Sequence, residues 1–264
     1  MDFLINAAIM GVVEGITEFL PISSTGHLII VNHFIKFKEP FASMFEVVIQ
    51  LGAILSVIVY FHKKLNPLVA DAQKREEVLS IWKKAIAGVI PALIIGGILG
   101  KKISENLFNP GVVAGALIIG GIILIIIENM KKTEKMKSVA DITYGIAIAI
   151  GLIQCLAMVP GTSRAAATII GAMLLGASRS TAAEFSFYLA IPTMAAASAY
   201  SLLKHSAAMA PIEWQALIVG FIVSFLVAWA VIAFLMNYIR KHDFKPFGYY
   251  RIVLGILVLI FCMN

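Results

Sequence analysis

Between Glu14 and His27 the chain reads EGITEFLPISSTGH, which places two carboxylates, three consecutive hydroxyls and a histidine inside an apolar N-terminal region. Packing does not ask for these side chains. Ionisable groups within hydrophobic segments are costly, and function is their default meaning. Glu14 and Glu18 stand one helical turn apart and share a face. If Ser23, Ser24 or Thr25 caps a helix after Pro21, Ser24 and His27 share a face as well. The free N–H groups and hydroxyls of that helix start favour an anion, phosphate above all. A complement lies downstream in PGTSR at Pro160–Arg164. There Pro160-Gly161 supplies a turn and Ser163 a cap or donor. The Arg164 guanidinium suits bidentate contact with phosphate oxygens.

This inventory is that of phosphoryl transfer. Ser24 or a water attacks, and His27 or a glutamate handles the proton. Arg164 and the helix N-termini neutralise charge building on the phosphoryl group. Alternatively, Glu14 and Glu18 are metal ligands that hold a divalent cation bridging the phosphates. Each piece also has a bland reading: the hydroxyls as a structural cap, a glutamate as a satisfied internal acid, His27 as uninformative alone. The coincidence of Glu14, Glu18, Ser24, His27 and Arg164 at the tips of two broken helices favours function.

Composition defines what must position them. The chain has 264 residues, 60% hydrophobic and 14% charged, with mean hydropathy +0.94. Soluble domains carry about 25% charged residues. Runs such as Val112–Ile127 and Ile252–Cys262 are nearly uncharged, as helical spans require. The alternating ten-residue segments of a transmembrane barrel do not occur. The expectation is an all-α polytopic membrane protein, one integral domain over residues 1–264. The net charge of +6 sits between spans, as topology determinants and lipid-headgroup contacts; no nucleic acid partner is read from it. Cys155 and Cys262 both lie in apolar runs, so neither a disulfide framework nor a metal cluster is expected. A start without basic residues or a small-residue cleavage site is unlike a cleaved signal peptide.

The first apolar segment, Phe3–Leu20, is stopped by Pro21, since the residue before proline is pushed out of helix. The next, to about Phe34, is too short to cross a bilayer, and the pair predicts a re-entrant hairpin. Spans follow at about Met44–Phe61, Ala85–Gly100 and Val112–Glu128. After a polar linker, Lys131–Ser138, the layout recurs: Thr143–Val159, a break at Pro160-Gly161, Ser163–Leu175, then spans at Ala183–Leu203, Trp214–Asn237 and Tyr249–Cys262. Gly11-x-x-Glu14 aligns with Gly151-x-x-Gln154, Ser23-Ser24 with Ser163-Arg164, Trp82–Gly88 with Trp214–Gly220, and Phe108-x-Pro110 with Phe244-x-Pro246.

Each half (about 1–130 and 139–264) thus holds one hairpin plus three spans. An odd number of crossings inverts the second copy. Positive-inside counting supports this. The cytoplasmic side receives Lys63, Lys64, Lys74, Arg75, Lys83, Lys84, Lys131, Lys132, Lys135, Lys137, Arg179, Arg240, Lys241 and Lys245. Only Lys36, Lys38, Lys101, Lys102 and Lys204 fall outside. Both termini are then external, and the hairpins enter from opposite faces with their tips meeting in the membrane. Glu46 and Glu184, at matching positions, are read as structural acids, Arg179 as a cytoplasmic loop marker, and Arg251 as snorkelling near the start of the last span.

The chain resembles the undecaprenyl-pyrophosphate phosphatases of bacterial cell-wall synthesis, a bacitracin-resistance family. The resemblance rests on EGITEFLPISSTGHL at Glu14–Leu28, QLGAI at Gln50–Ile54, PGTSRAAAT at Pro160–Thr168 and EFSFYLAIP at Glu184–Pro192, and it runs the whole length. It implies hydrolysis of a polyprenyl pyrophosphate lipid to the monophosphate carrier. It also implies dependence on Mg²⁺ or Ca²⁺, and a multi-pass place in the bacterial plasma membrane with the site opening to the outer face. Bacitracin tolerance would rise on overproduction. Glu14, Glu18, Ser24, Thr25, His27 and Arg164 carry the family's functional positions, with Ser23 and Ser163 at the phosphate. The family's second motif usually continues Ser-Arg-Ser-Gly, whereas this chain has Ala165-Ala166; either that hydroxyl is not essential, or Thr168 or Thr162 substitutes. Whether Ser24, with His27 as base, or a water promoted by Glu18 attacks is left open by spacing, with Ser24 favoured.

Two other classes compete. Inverted repeats with broken helices are typical of transporters, so a lipid-phosphate flippase is the main alternative. A non-catalytic membrane scaffold is the other. Small residues such as Gly96, Gly97, Gly100, Gly111, Gly115, Gly120 and Gly121 permit close helix contact, within the chain or in a homodimer.

Overall fold

The computed structural model describes residues 2–35, 37–130, 133–204 and 209–262. Lys36, Lys131 and Lys132, and the side chains of Lys204 and Cys262, lie outside the described residues. Among those described, the chain is helical, without a strand. Its helices are α1 (Asp2–Thr17), α2 (Ser24–Ile35), α3 (Phe41–Tyr60), α4 (His62–Leu65), α5 (Ala72–Leu107), α6 (Pro110–Asn129), α7 (Tyr144–Gln154), α8 (Arg164–Leu174), α9 (Arg179–Lys204), α10 (Pro211–Tyr238) and α11 (Lys245–Cys262).

Local chemistry sets the long helices' starts. Asp71 accepts from the Gln73 and Lys74 N–H groups ahead of α5. Asn109 accepts from Val112 N at 3.0 Å ahead of α6, with Pro110 in the first turn. Thr143 caps α7 through Ile146 N, and Glu213 returns to Ala210 N at 2.7 Å ahead of α10. Side-chain acceptors thus satisfy donors a helix start leaves free.

Among the described residues four helices are long and apolar enough to cross a membrane: α3, α5 over 72–103, α6 and α10. The other two expected spans, α9 and α11, are 26 and 18 residues long. Each buries a polar side chain against the bundle, Ser186 and Arg251. The hairpin helices α1, α2, α7 and α8 hold 16, 12, 11 and 11 residues. At about 1.5 Å per residue none spans the ~30 Å hydrocarbon core.

Packing crosses between the halves. Helix α1 lies along α10, α7 along α5, α6 along α11, and α3 against both α9 and α10. A Cβ at Gly11 would stand 2.7 Å from the Gly220 carbonyl oxygen, and one at Gly151 would collide with the Gly88 carbonyl. These four glycines are the ones that aligned in sequence, and each half's hairpin uses its glycine to lie on the other half's span.

The loops assigned to the cytoplasm gather at one end. Lys64 pairs with Glu184 at 2.7 Å, and Tyr188 donates to the same carboxylate. Arg179 forks onto Glu128, which also accepts from Phe244 N at 2.9 Å. Lys84 donates to Ala140 O, and Met136 bridges to Ala177. Arg179 is therefore more than a loop marker: it ties α9 to the end of α6 and, through Glu128, to the approach of α11.

Candidate active site

Two turns of the same construction meet in the bundle. Helix α1 ends at Thr17, whose hydroxyl folds back on Val13 O at 2.7 Å, and Glu18–Ile22 turn around Pro21. Ser23 adopts φ 74° and its Oγ accepts from Gly26 N. In the second hairpin α7 tightens into a 3₁₀ turn over Cys155–Met158 before Pro160. Gly161 takes φ 90° where Val113 backbone occupies the space of a Cβ. Ser163 then takes φ 70°, and its Oγ accepts from Ala166 N at 3.2 Å. Each short helix thus begins behind a serine in the left-handed region. That conformation costs about 1–3 kcal/mol in a non-glycine residue and clusters at functional sites.

Glu18 joins the tips. Its Oε2 accepts the Ser24 hydroxyl at 2.8 Å. Its Oε1 accepts from Arg164 Nε at 3.4 Å and Nη2 at 3.2 Å. Arg164 Nη1 donates to Ser186 O at 3.0 Å, and its guanidinium carbon lies 5.9 Å from the Phe19 ring centroid. The pair is little exposed, 11% for Arg164 and 8% for Glu18, which removes it from the screening that weakens surface ion pairs. A serine hydroxyl, a carboxylate and a guanidinium are thus in contact across 146 residues of sequence.

His27 is held apart from Ser24. Its Nδ1 lies 2.7 Å from Ser23 O, which can only accept, so Nδ1 carries the proton. Its Nε2 lies 2.7 Å from the Tyr250 hydroxyl, with the rings stacked at 5.5 Å and 8°. The acceptor of the Ser24 hydroxyl's hydrogen bond is Glu18 and not His27, a pairing that joins one element from each of the two attack modes left open by spacing.

Glu14 is fully buried. Neither of its carboxylate oxygens accepts from a donor group among the described residues; the Glu18 carboxyl is within hydrogen-bonding reach, and the charges acting on Glu14 are Glu18, Glu46 and Arg164. Two buried carboxyls side by side with no donor to Glu14 fit a hard divalent cation, which takes oxygen ligands. Mg²⁺ in particular is bound through one or two carboxylates plus substrate phosphates. Among the described residues no group of three or more His, Cys, Asp or Glu is placed to hold a metal, so water or substrate oxygens would complete any coordination. Glu46 and Glu184, equivalent in sequence, part company here: Glu46 acts on Glu14, while Glu184 is bound by Lys64 and Tyr188 at the other end.

Thr25 and Thr162 are half-buried beside their turns. Thr168 is fully buried; its hydroxyl donates to Arg164 O at 2.9 Å and meets Ser186 Oγ at 2.6 Å. It stands behind Arg164 as part of a brace from α9. Ser186 lies within the EFSFYLAIP segment but carried no signal as a single serine.

Arg251 corrects the snorkelling expectation. It is fully buried. It donates to Pro21 O at 3.3 Å, Gly161 O at 3.2 Å, Ala116 O at 3.1 Å and Leu117 O at 3.4 Å. Pro21 and Gly161 are the turn residues of the two hairpins, so one guanidinium holds both tips. Its head finds four carbonyls inside the protein and has no cause to reach for an interface. Arg251 and Tyr250 are the contributors that sequence reasoning missed; the run Tyr249-Tyr250-Arg251 at the head of an apolar helix was the available signal.

Comparison with known proteins gives the family. The family described as bacitracin resistance protein BacA matches residues 7–257. Undecaprenyl-diphosphatase 1 of Clostridioides difficile is 53% identical, covering 98% of this chain and 96% of its own. The undecaprenyl-diphosphatase of Caldanaerobacter subterraneus is 49% identical over 98% and 96% of the two chains. That of Lachnoclostridium phytofermentans is 51% identical over 98% and 97%. With turns, site and apolar helices all accounted for, this multi-pass membrane protein belongs to the bacitracin resistance protein BacA family.

Proposed function

We propose that this protein hydrolyses undecaprenyl pyrophosphate to undecaprenyl phosphate and inorganic phosphate, returning the lipid carrier to cell-wall synthesis. The substrate class comes from the relatives' names. The observation that carries the chemistry is Glu18 bridging Ser24 and Arg164. Ser24 Oγ attacks the terminal phosphorus as its proton passes to Glu18 Oε2. The bond to the bridging oxygen breaks, and undecaprenyl phosphate leaves. A water then attacks the phosphoserine, its proton going to His27 Nε2, while Glu18 returns its proton to Ser24 as the P–Oγ bond breaks; the imidazolium gives its extra proton up to solvent as phosphate leaves. Arg164 turns from Glu18 Oε1 to the phosphoryl oxygens, aided by the N–H groups behind Ser23 and Ser163. Glu14, with Glu18, would hold Mg²⁺ or Ca²⁺, whose charge draws off electron density from the phosphates.

The halves form an inverted repeat in this reading. Its support is the crossed packing of α1 on α10 and α7 on α5, the reciprocal glycine contacts and the matched left-handed serines. The clustering of basic loops at one end supports a site opening to the outer face of the bacterial inner membrane. Lipid transport alone would leave the Ser24–Glu18–Arg164 contact without a chemical duty.

The test is phosphate release from a long-chain isoprenyl pyrophosphate by purified protein in detergent, where no gradient exists. Wild type turns over with Mg²⁺, and Ser24→Ala, Glu18→Gln and Arg164→Ala each lose about 10²-fold or more. Inactive, folded wild type under every cation would refute hydrolysis. Full activity in Ser24→Ala alone would move the attack to water.

A further inference from the structure

We propose that Tyr250 serves this reaction by fixing the orientation of His27 and relaying the proton that reaches its Nε2. The proposal rests on the catalytic reading of His27 given above. A histidine ring has two nitrogens, and here both are engaged. Ser23 O takes the Nδ1 proton, which leaves the Nε2 lone pair as the group that handles protons. The Tyr250 hydroxyl is placed 2.7 Å from that nitrogen.

A phenol both donates and accepts, so this partner suits both states of the ring. It donates to neutral Nε2; as water gives up its proton, the phenol passes its own proton to Nε2 and takes the water's, and its oxygen then accepts from the protonated ring. The second bond is charge-assisted and the stronger of the two, so the hydroxyl steadies the imidazolium formed when water gives up its proton.

Three further observations place Tyr250 here for its hydroxyl. The rings stack at 8°, which holds the imidazole plane as well as its nitrogen. The next residue, Arg251, is fixed to four carbonyls, two of them in the hairpin turns, so the backbone carrying Tyr250 is registered to the site itself. The Tyr250 side chain is also 46% exposed, so burial of the ring does not explain its place.

Tyr250→Phe keeps ring and stack and removes the hydroxyl alone. The expected result is a kcat ten- to a hundredfold lower, with KM for the isoprenyl pyrophosphate within twofold and an unchanged unfolding midpoint. Because the effect runs through His27, the double variant Tyr250→Phe/His27→Ala should match His27→Ala within twofold. An equal fold-loss from Tyr250→Phe in both backgrounds, or wild-type kcat in Tyr250→Phe while His27→Ala is slow, would overturn the proposal alone. Wild-type kcat in His27→Ala would remove the role of His27 and the proposal with it.

Discussion

Arg251→Met gives the sharpest test of how the two half-sites are kept in register. Arg251 reaches two elements that are otherwise far apart in the chain, the Pro21 turn and the Gly161 turn. Its contacts on Ala116 and Leu117 fall on carbonyls within α6 that also serve that helix. The turn carbonyls are not in helices, and methionine offers them no donor. A buried acceptor left without a partner costs about 1–3 kcal/mol, thus about 2–6 kcal/mol for the two. Against this, removing a buried charge relieves desolvation, so global stability changes less than the tips do. The strain falls on the geometry joining Ser24 and Glu18 on one tip to Arg164 on the other. If the rate follows the share of molecules with the tips in register, the low end of that range is about a thirtyfold loss, since 1.4 kcal/mol is a factor of ten. Phosphate release by detergent-purified protein measures the rate, and thermal unfolding checks the fold. Arg251→Lys keeps the charge but not the fork, and should fall between the two. Activity in folded Arg251→Met within threefold of wild type would show that the tips hold their spacing without the guanidinium.

Two further outcomes follow from single residues. Glu14→Gln should raise the Mg²⁺ concentration for half-maximal phosphate release about tenfold or more while the protein stays folded, because a buried carboxylate with no donor group on it is the group a cation needs; an unmoved cation titration would take Glu14 out of the metal site. Gly161→Ala should lower stability by about 1–3 kcal/mol, read as a falling unfolding midpoint with activity lost alongside. A side chain there is strained at φ 90° and would meet Val113 backbone. An unchanged midpoint would show that the turn is free to shift.

What the sequence disclosed, and what it withheld, divides along one physical line. Motifs whose logic is local were legible. Pro21 and Pro160-Gly161 mark the breaks, although the helices expected to run to Leu20 and Val159 already end at Thr17 and Gln154, and Ser23 and Ser163 cap the next ones through bonds three residues away. The glycine matches were legible too, as spacings in sequence, and Gly11 and Gly151 do lie on Gly220 and Gly88. Partnerships set by tertiary approach were not. Ser24 and His27 share a helical face by count, yet Ser24 turns to Glu18 while His27 turns to Ser23 O and Tyr250, 223 residues away. Glu46 and Glu184 match in sequence but face different surroundings. Arg251 is the clearest case. An arginine early in an apolar helix has two ways to escape hydrocarbon, reaching for the interface or finding acceptors inside, and only the packing of α11 against α6 decides between them. Turn carbonyls are acceptors that no residue pattern marks, since every residue carries one. A site assembled from two broken helices creates several of them at one depth. A buried guanidinium, with five donors in a rigid fork, is a chemical answer to that surplus.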